Sequence, residues 1–163
     1  MTDYLKPLPP ITNLNRPYWE GLREGVLRMQ RCSACHKIWY PPSPVCPQCW
    51  STDHAWAALS GRATVNSWVI FHQAYLKGYD DEVPFNVAEV TLDEGPRLMT
   101  NLVGIDNGHI EMGMAVEIVF DTVTDEVTLA KFGPAPSTST ASAPAADTSA
   151  TGSTSAGPDG SAS

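Results

Sequence analysis

The chain has 163 residues, room for one ordinary domain or a small module joined to a medium one, and its 10 Lys and Arg stand against 18 Asp and Glu for a formal charge of −8. That balance repels polyanions on average and disfavours nucleic acid as a partner, although a local basic patch around Arg23, Arg28, Arg31 and Lys37 stays open. No basic stretch leads into an apolar run at the start and no apolar run approaches the roughly 20 residues of a membrane span, so neither a signal peptide nor membrane insertion is expected, and a cytoplasmic location is the default.

Residues 1–30 divide into an extended segment, a helix and a strand. Pro7, Pro9 and Pro10 remove donors and keep residues 1–14 extended, in position to drape over a partner. Pro17 suits the first turn of a helix that sets Trp19, Leu22 and either Tyr18 or Arg23 at helical spacing, and Gly25 ends it. From Val26 to Arg31 the chain alternates Leu27 and Met29 with Arg28 and Gln30, the pattern of a strand.

Residues 31–54 hold all four cysteines, Cys32, Cys35, Cys46 and Cys49. Two residues inside each pair let both thiolates reach one ion from a tight turn, and the hairpin between the pairs folds them into a tetrahedron. Four thiolates close the coordination shell, so one structural zinc is expected, holding a ribbon of about 20 residues that has little core of its own. His36 beside Cys35 reads as a turn residue, since no ligand is missing. Iron in the same thiolates is the weaker alternative. A disulfide framework is weaker as well, given the absence of a secretory signal.

Residues 55–133 change character. Five β segments, Ala63–His72, Phe85–Leu92, Leu98–Val103, Ala115–Phe120 and Glu126–Phe132, predict a small barrel. Asp93-Glu-Gly-Pro96 forms a hairpin turn, and Asp106-Asn-Gly108 offers residues tolerant of positive φ. Ala74 to Pro84, with Lys77 and the acidic run Asp80, Asp81 and Glu82, reads as an exposed, mobile loop. From Ser137 on there is no Leu, Ile, Val or aromatic residue, so residues 134–163 are expected to form a disordered Ser/Thr/Ala/Pro-rich tail.

Several stretches together resemble a known family. They are Arg28-x-Gln-Arg-Cys-x-x-Cys35, Trp39-Tyr-Pro-Pro42, Cys46-Pro-x-Cys49, Pro84-Phe-x-Val-Ala88, Leu92-Asp-Glu-Gly-Pro-Arg-Leu98 and Asn101-Leu-Val-Gly104. Over roughly residues 15–133 the chain is similar to the zinc-ribbon plus OB-fold family catalogued as domain of unknown function thirty-five. The resemblance implies a mainly β fold, with a short helix and rubredoxin-like zinc ribbon followed by a five-stranded OB-fold barrel.

It also implies a role. Family members are accessory partners of thiolase-superfamily enzymes that act on acyl-CoA thioesters: the thiolase to hydroxymethylglutaryl-CoA synthase bridge of archaea, the small subunit of benzoylsuccinyl-CoA thiolase, and the partner domain of steroid side-chain aldolases. Related domains are fused to MaoC-like enoyl-CoA hydratases. The expected function is thus a non-catalytic subunit of a thiolase or acyl-CoA aldolase in a hetero-oligomer, with acyl-CoA at or near the interface.

The residues fit that role. There is no nucleophile elbow, no Gly-rich phosphate loop and no redox cysteine pair free of metal, and His72 and His109 read as packing or surface residues. Tyr18, Trp19, Trp39, Tyr40 and Trp50 are candidate anchors for a partner, with ribbon core as the competing reading. Lys77 is a candidate contact for CoA phosphates, against a solvated loop. A MaoC-like hydratase partner is one alternative. A single-stranded nucleic-acid module, with Trp68, Phe71 and Phe85 stacking bases, is another, weakened by the acidic balance.

Overall fold

The structure is a computed structural model that describes residues 4–136. One helix, α1 (Arg16–Arg23), precedes eight strands: β1 (Arg28–Cys32), β2 (Ile38–Trp39), β3 (His54–Ala58), β4 (Arg62–Phe71), β5 (Phe85–Leu92), β6 (Arg97–Thr100), β7 (Ala115–Thr122) and β8 (Thr128–Pro134). Pro17 occupies the first turn of α1, and Gly25 follows the cap in the left-handed region at φ 75°. Among the described residues no helix is long and apolar enough to cross a membrane.

The strands form two antiparallel sheets. A three-stranded sheet in the order β2-β1-β3 carries the cysteines, and a five-stranded sheet runs β6-β5-β4-β7-β8. Strand β5 shows why these residues form strands: Asn86, Ala88, Val90 and Leu92 turn inward while the residues between them face out, the period of a half-buried strand. Strand β4 is ten residues long and carries a bulge between Val65 and Ser67, which bends it so that it pairs β5 along its length and β7 at its start. The large sheet then curls until its ends meet. The Phe132 carbonyl accepts the Val103 N–H at 2.8 Å, the Asn101 carbonyl accepts the Phe132 N–H at 3.1 Å, and the Thr100 hydroxyl donates to the Ala130 carbonyl at 2.8 Å. This is the expected barrel.

Ribbon, helix and barrel share one core. Tyr18 and Leu22 of α1, Leu27, Met29 and Ile38 of the ribbon side, and Val65, Val90, Leu98, Val116 and Phe132 of the barrel belong to a single buried cluster. Burying each large apolar side chain is worth about 1.5–3 kcal/mol, so the ribbon is fixed to the barrel by packing rather than by a linker.

Strand β3 spans the division between residues 54 and 55 and pairs with β1 from Arg28–Ala58 to Cys32–His54. Other expectations change. The segment near the N-terminus lies on the chain itself: Lys6 pairs with Glu82 and sits 4.6 Å over the Tyr79 ring, both on the loop between β4 and β5. At the second turn the positive φ falls on Gly104, while Asn107–His109 is a short 3-10 turn. Strand β8 extends to Pro134 and the Ala135 N–H reaches the Ala115 carbonyl at 3.1 Å, so the chain is built into the sheet past residue 133. The rest of the expected tail, from residue 137, lies outside the described residues.

Gly61 shows how closely β4 approaches β7. Its φ is +76°, and an added Cβ would stand 2.3 Å from the Ile118 Cγ2 methyl. Gly61→Ala is expected to destabilise the barrel by about 2–4 kcal/mol, the sum of a left-handed alanine and an overpacked contact, measured as a shift in the denaturant midpoint at constant slope.

Candidate metal centre and the surfaces around it

Each cysteine pair sits on the same turn. In the first, the Lys37 carbonyl accepts the Cys32 N–H at 2.9 Å and the Cys32 carbonyl accepts the His36 N–H at 3.1 Å. In the second, the Ser51 carbonyl accepts the Cys46 N–H at 2.9 Å and the Cys46 carbonyl accepts the Trp50 N–H at 3.0 Å. The residue after each second cysteine takes the left-handed conformation, His36 at φ 60° and Trp50 at φ 63°. The two knuckles are thus near copies, and they place all four sulfurs within 4.8 Å of one another.

The donor set fits a tetrahedral ion. Cys32 and Cys49 sulfurs lie 3.5 Å apart and those of Cys35 and Cys46 3.6 Å, close to the ~3.8 Å edge of a tetrahedron built on ~2.3 Å metal–sulfur bonds. The Cys35 N–H points to the Cys32 sulfur at 3.4 Å, an arrangement that favours a thiolate. Sharing so small a volume splits the thiols. The Cys35 N–H draws Cys32 down to about 6. At Cys49 the Ser51 N–H also pulls downward, but the Cys35 and Cys32 thiols outweigh it and push Cys49 up to about 12. A bound dication is what would let all four ionise together.

A partly buried latch steadies the ribbon beside the cysteines. The His54 Nδ1 lies 3.0 Å from the Thr52 carbonyl, which only accepts, so Nδ1 carries the proton and Nε2 accepts from the Gln30 side chain at 2.7 Å. The Gln30 side-chain Oε1 in turn accepts the Ser43 N–H at 2.7 Å. Gln30 is fully buried. Its polarity was the signal for a partner, but nothing local pointed to His54.

The aromatic candidates separate. Tyr18 and Trp39 are core, at 4% and 5% exposure, and are not exposed anchors. Tyr18 meets Trp19 edge-on at 5.1 Å and Tyr40 at 5.2 Å, and burial, with Tyr40 adding, pushes its phenol well above the ordinary value. Trp39 packs on the buried Cys32 and Cys46 and meets the His54 ring at 5.7 Å. Trp19 and Tyr40 are half-buried. Trp50 alone of the five stands out, 76% exposed at the tip of the second knuckle. Lys77 is exposed on the loop between β4 and β5.

The remaining motif stretches are stitched to one another. Asn86, buried in β5, donates to the Leu102 carbonyl at 2.9 Å and to Asn107 Oδ1 at 3.0 Å, and accepts the Leu102 N–H at 2.6 Å. Asn101 donates to the Asn86 carbonyl at 2.5 Å, and Asn107 to the Pro84 carbonyl at 2.9 Å. Beside this clamp Phe71 stacks on Phe85 at 5.2 Å, with Tyr79 5.1 Å beyond, so these rings face each other.

A four-cysteine ribbon sharing its core with a five-stranded barrel defines a class of two-part β proteins. Residues 19–55 match the model described as the rubredoxin-like zinc ribbon domain of ChsH2, and residues 56–121 match that of the ChsH2 C-terminal OB-fold domain. The chain belongs to this ChsH2-type DUF35 family. It is 39% identical over 131 residues to the probable enoyl-CoA hydratase alpha subunit of Thermomonospora curvata, a match covering 80% of this chain and 40% of that protein's length. It is 32% identical to a DUF35 domain-containing scaffold protein of Pyrococcus furiosus, covering 63% of this chain and 74% of the relative. Among solved structures it resembles a chain of the Ltp2-ChsH2(DUF35) aldolase, with a TM-score of 0.71 and 37% identity over 78% of this chain and 98% of the other.

Proposed function

We propose that this chain is a non-catalytic, zinc-bearing subunit of an acyl-CoA enzyme of the thiolase superfamily, a thiolase or an acyl-CoA aldolase. The observation that carries the reading is the 37% identity over nearly the whole of the matched chain in the Ltp2-ChsH2(DUF35) aldolase. The side chains support it. The buried polar residues, Gln30, Asn86, Thr100 and Thr128, are each engaged in hydrogen bonds that hold the fold, which leaves the nucleophile and bases to the partner. The subunit acts by positioning, ordering the partner's loops and keeping water from the carbon–carbon bond. Zinc is the proposed ion because a closed four-thiolate shell suits a structural role, and Lys77 is the proposed contact for CoA phosphates. A second reading, with an enoyl-CoA hydratase as partner, draws on the 39% identity to the hydratase alpha subunit.

Co-expression with the enzyme encoded beside it, followed by assay of the complex, separates these. Carbon–carbon cleavage or formation that needs both chains supports the first reading; hydration supports the second; neither association nor altered turnover of a CoA ester sinks both.

Trp50 is the proposed anchor. A bulky residue held at φ 63° costs about 1 kcal/mol relative to glycine, a conformation that the knuckle turn imposes on Trp50 as it does on His36. Trp50→Gly is therefore expected to leave the chain as stable or up to about 1 kcal/mol more stable, while weakening its hold on the enzyme tenfold or more, as buried tryptophans do at interfaces. Thermal melts and titration calorimetry read the two effects separately, and unchanged affinity would remove Trp50 from the contact.

A further inference from the structure

Strand β3 is the edge of the ribbon sheet, bonded to β1 on one side only. Its bonded side can be assigned residue by residue. The Cys32 N–H goes to Lys37, on the β2 side of β1, so the odd-numbered residues of β1 turn toward β3. The flanking bonds agree: Ser33 N–H reaches the Asp53 carbonyl at 3.1 Å, and Leu59 N–H the Leu27 carbonyl at 2.8 Å. With the register Arg31–Ala55 and Met29–Ala57, the N–H and C=O groups of His54, Trp56 and Ala58 point away from the sheet. Among the described residues none of these groups meets a hydrogen-bond partner.

The other sheet margins are managed. Strand β2 is two residues long and runs into Pro41 and Pro42 within a few residues. Strands β6 and β8 are joined through Thr100, Asn101 and Val103. Strand β3, His54-Ala-Trp-Ala-Ala58, has no acidic residue, lysine, arginine, proline or bulge, and three of its five side chains are single methyl groups. Proteins normally blunt such an edge, because it templates pairing with another chain.

We infer that the open edge of β3 receives an extended segment of the partner enzyme as a fourth strand of the ribbon sheet. The segment is recognised through its main chain, in an alternating bond pattern with His54, Trp56 and Ala58, and the methyl side chains of Ala55, Ala57 and Ala58 leave room for close approach. A second copy of the chain is the poorer occupant. A seam of five residues covers a few hundred square ångströms, well below the roughly 1,200 Å² at which stable complexes begin, so the added strand belongs to a larger contact than this edge could make with itself. This inference rests on the proposed role as an enzyme subunit.

The test uses the full chain and the enzyme with which it co-purifies. Residue-resolved hydrogen exchange should show the amides of His54, Trp56 and Ala58 exchanging fast in the free chain and becoming protected in the complex, while Ala55 and Ala57 are protected in both. Ala58→Pro removes a donor that the ribbon does not use, a substitution that edge strands tolerate, and should weaken association about tenfold or more without moving metal content or the thermal transition. If proline perturbs the fold, Ala58→Lys places a charge on the same edge and should weaken association similarly. A complex in which the three amides stay fast, or which Ala58→Lys leaves as tight, overturns the strand while leaving the subunit role standing. Protection of the three amides in the chain alone, with a concentration-dependent dimer, overturns it in favour of a second copy. If no complex forms, the subunit role falls and takes the strand with it.

Discussion

Cys35→Ser is expected to lose the metal and unfold the ribbon. Cys32, Trp39 and Cys46 form a separate small buried cluster packed with Cys35, and it contains three residues. Such a cluster cannot offset the ordering of about 20 residues, so binding of the ion, of order 10 kcal/mol, is the folding energy of this part. Replacing one thiolate leaves a three-sulfur site and a hydroxyl that ligates zinc poorly. Metal analysis should fall from one ion per chain to well below one. Near-ultraviolet circular dichroism should lose the signal of Trp39, which lies against two of the ligands. Full metal content with an unchanged thermal transition would show that the cysteines do not hold the fold.

The second large effect is expected at Asn86. Asn86→Ala removes three hydrogen bonds at once and leaves the Leu102 N–H and carbonyl unpaired at a buried position, where each orphaned group costs about 1–3 kcal/mol. A loss of about 3–5 kcal/mol follows, near the upper end for single substitutions, because the clamp also sets residues 101–103 against Phe132 where the barrel closes. Chemical denaturation measures it. A loss below about 1 kcal/mol would mean that water substitutes for the amide, and that the clamp is not a closing device.

The barrel was legible because its strands repeat with period 2 and are separated by turn residues, both of which are local signals. The ribbon was legible from four cysteines alone. Strand β3 was not, since alanine has low strand propensity and His54–Ala58 becomes a strand only through β1, whose residues lie some 22–30 positions earlier. The same holds for the contact between Lys6 and Glu82, 76 residues apart, and for the pairing of Gln30 with His54, 24 residues apart. Tyr18 and Trp39 stand for a further limit. An aromatic residue in a small ribbon can fill the interior or face a partner, and composition does not distinguish the two; burial does. Trp50 remains a candidate because it is exposed.

The single core shared by helix and barrel bears on the order in which the chain can be assembled. On the ribosome all four cysteines emerge before β3, so the two knuckles can meet on an ion early. Helix α1, made before any of them, packs against β7 and β8, the last strands to appear. Strand β1 follows the helix directly and offers part of its docking surface, but the rest is missing until the final strand is finished, and during that interval its apolar face, with Tyr18 and Leu22, is only half covered and is a stretch for a chaperone or the partner to protect.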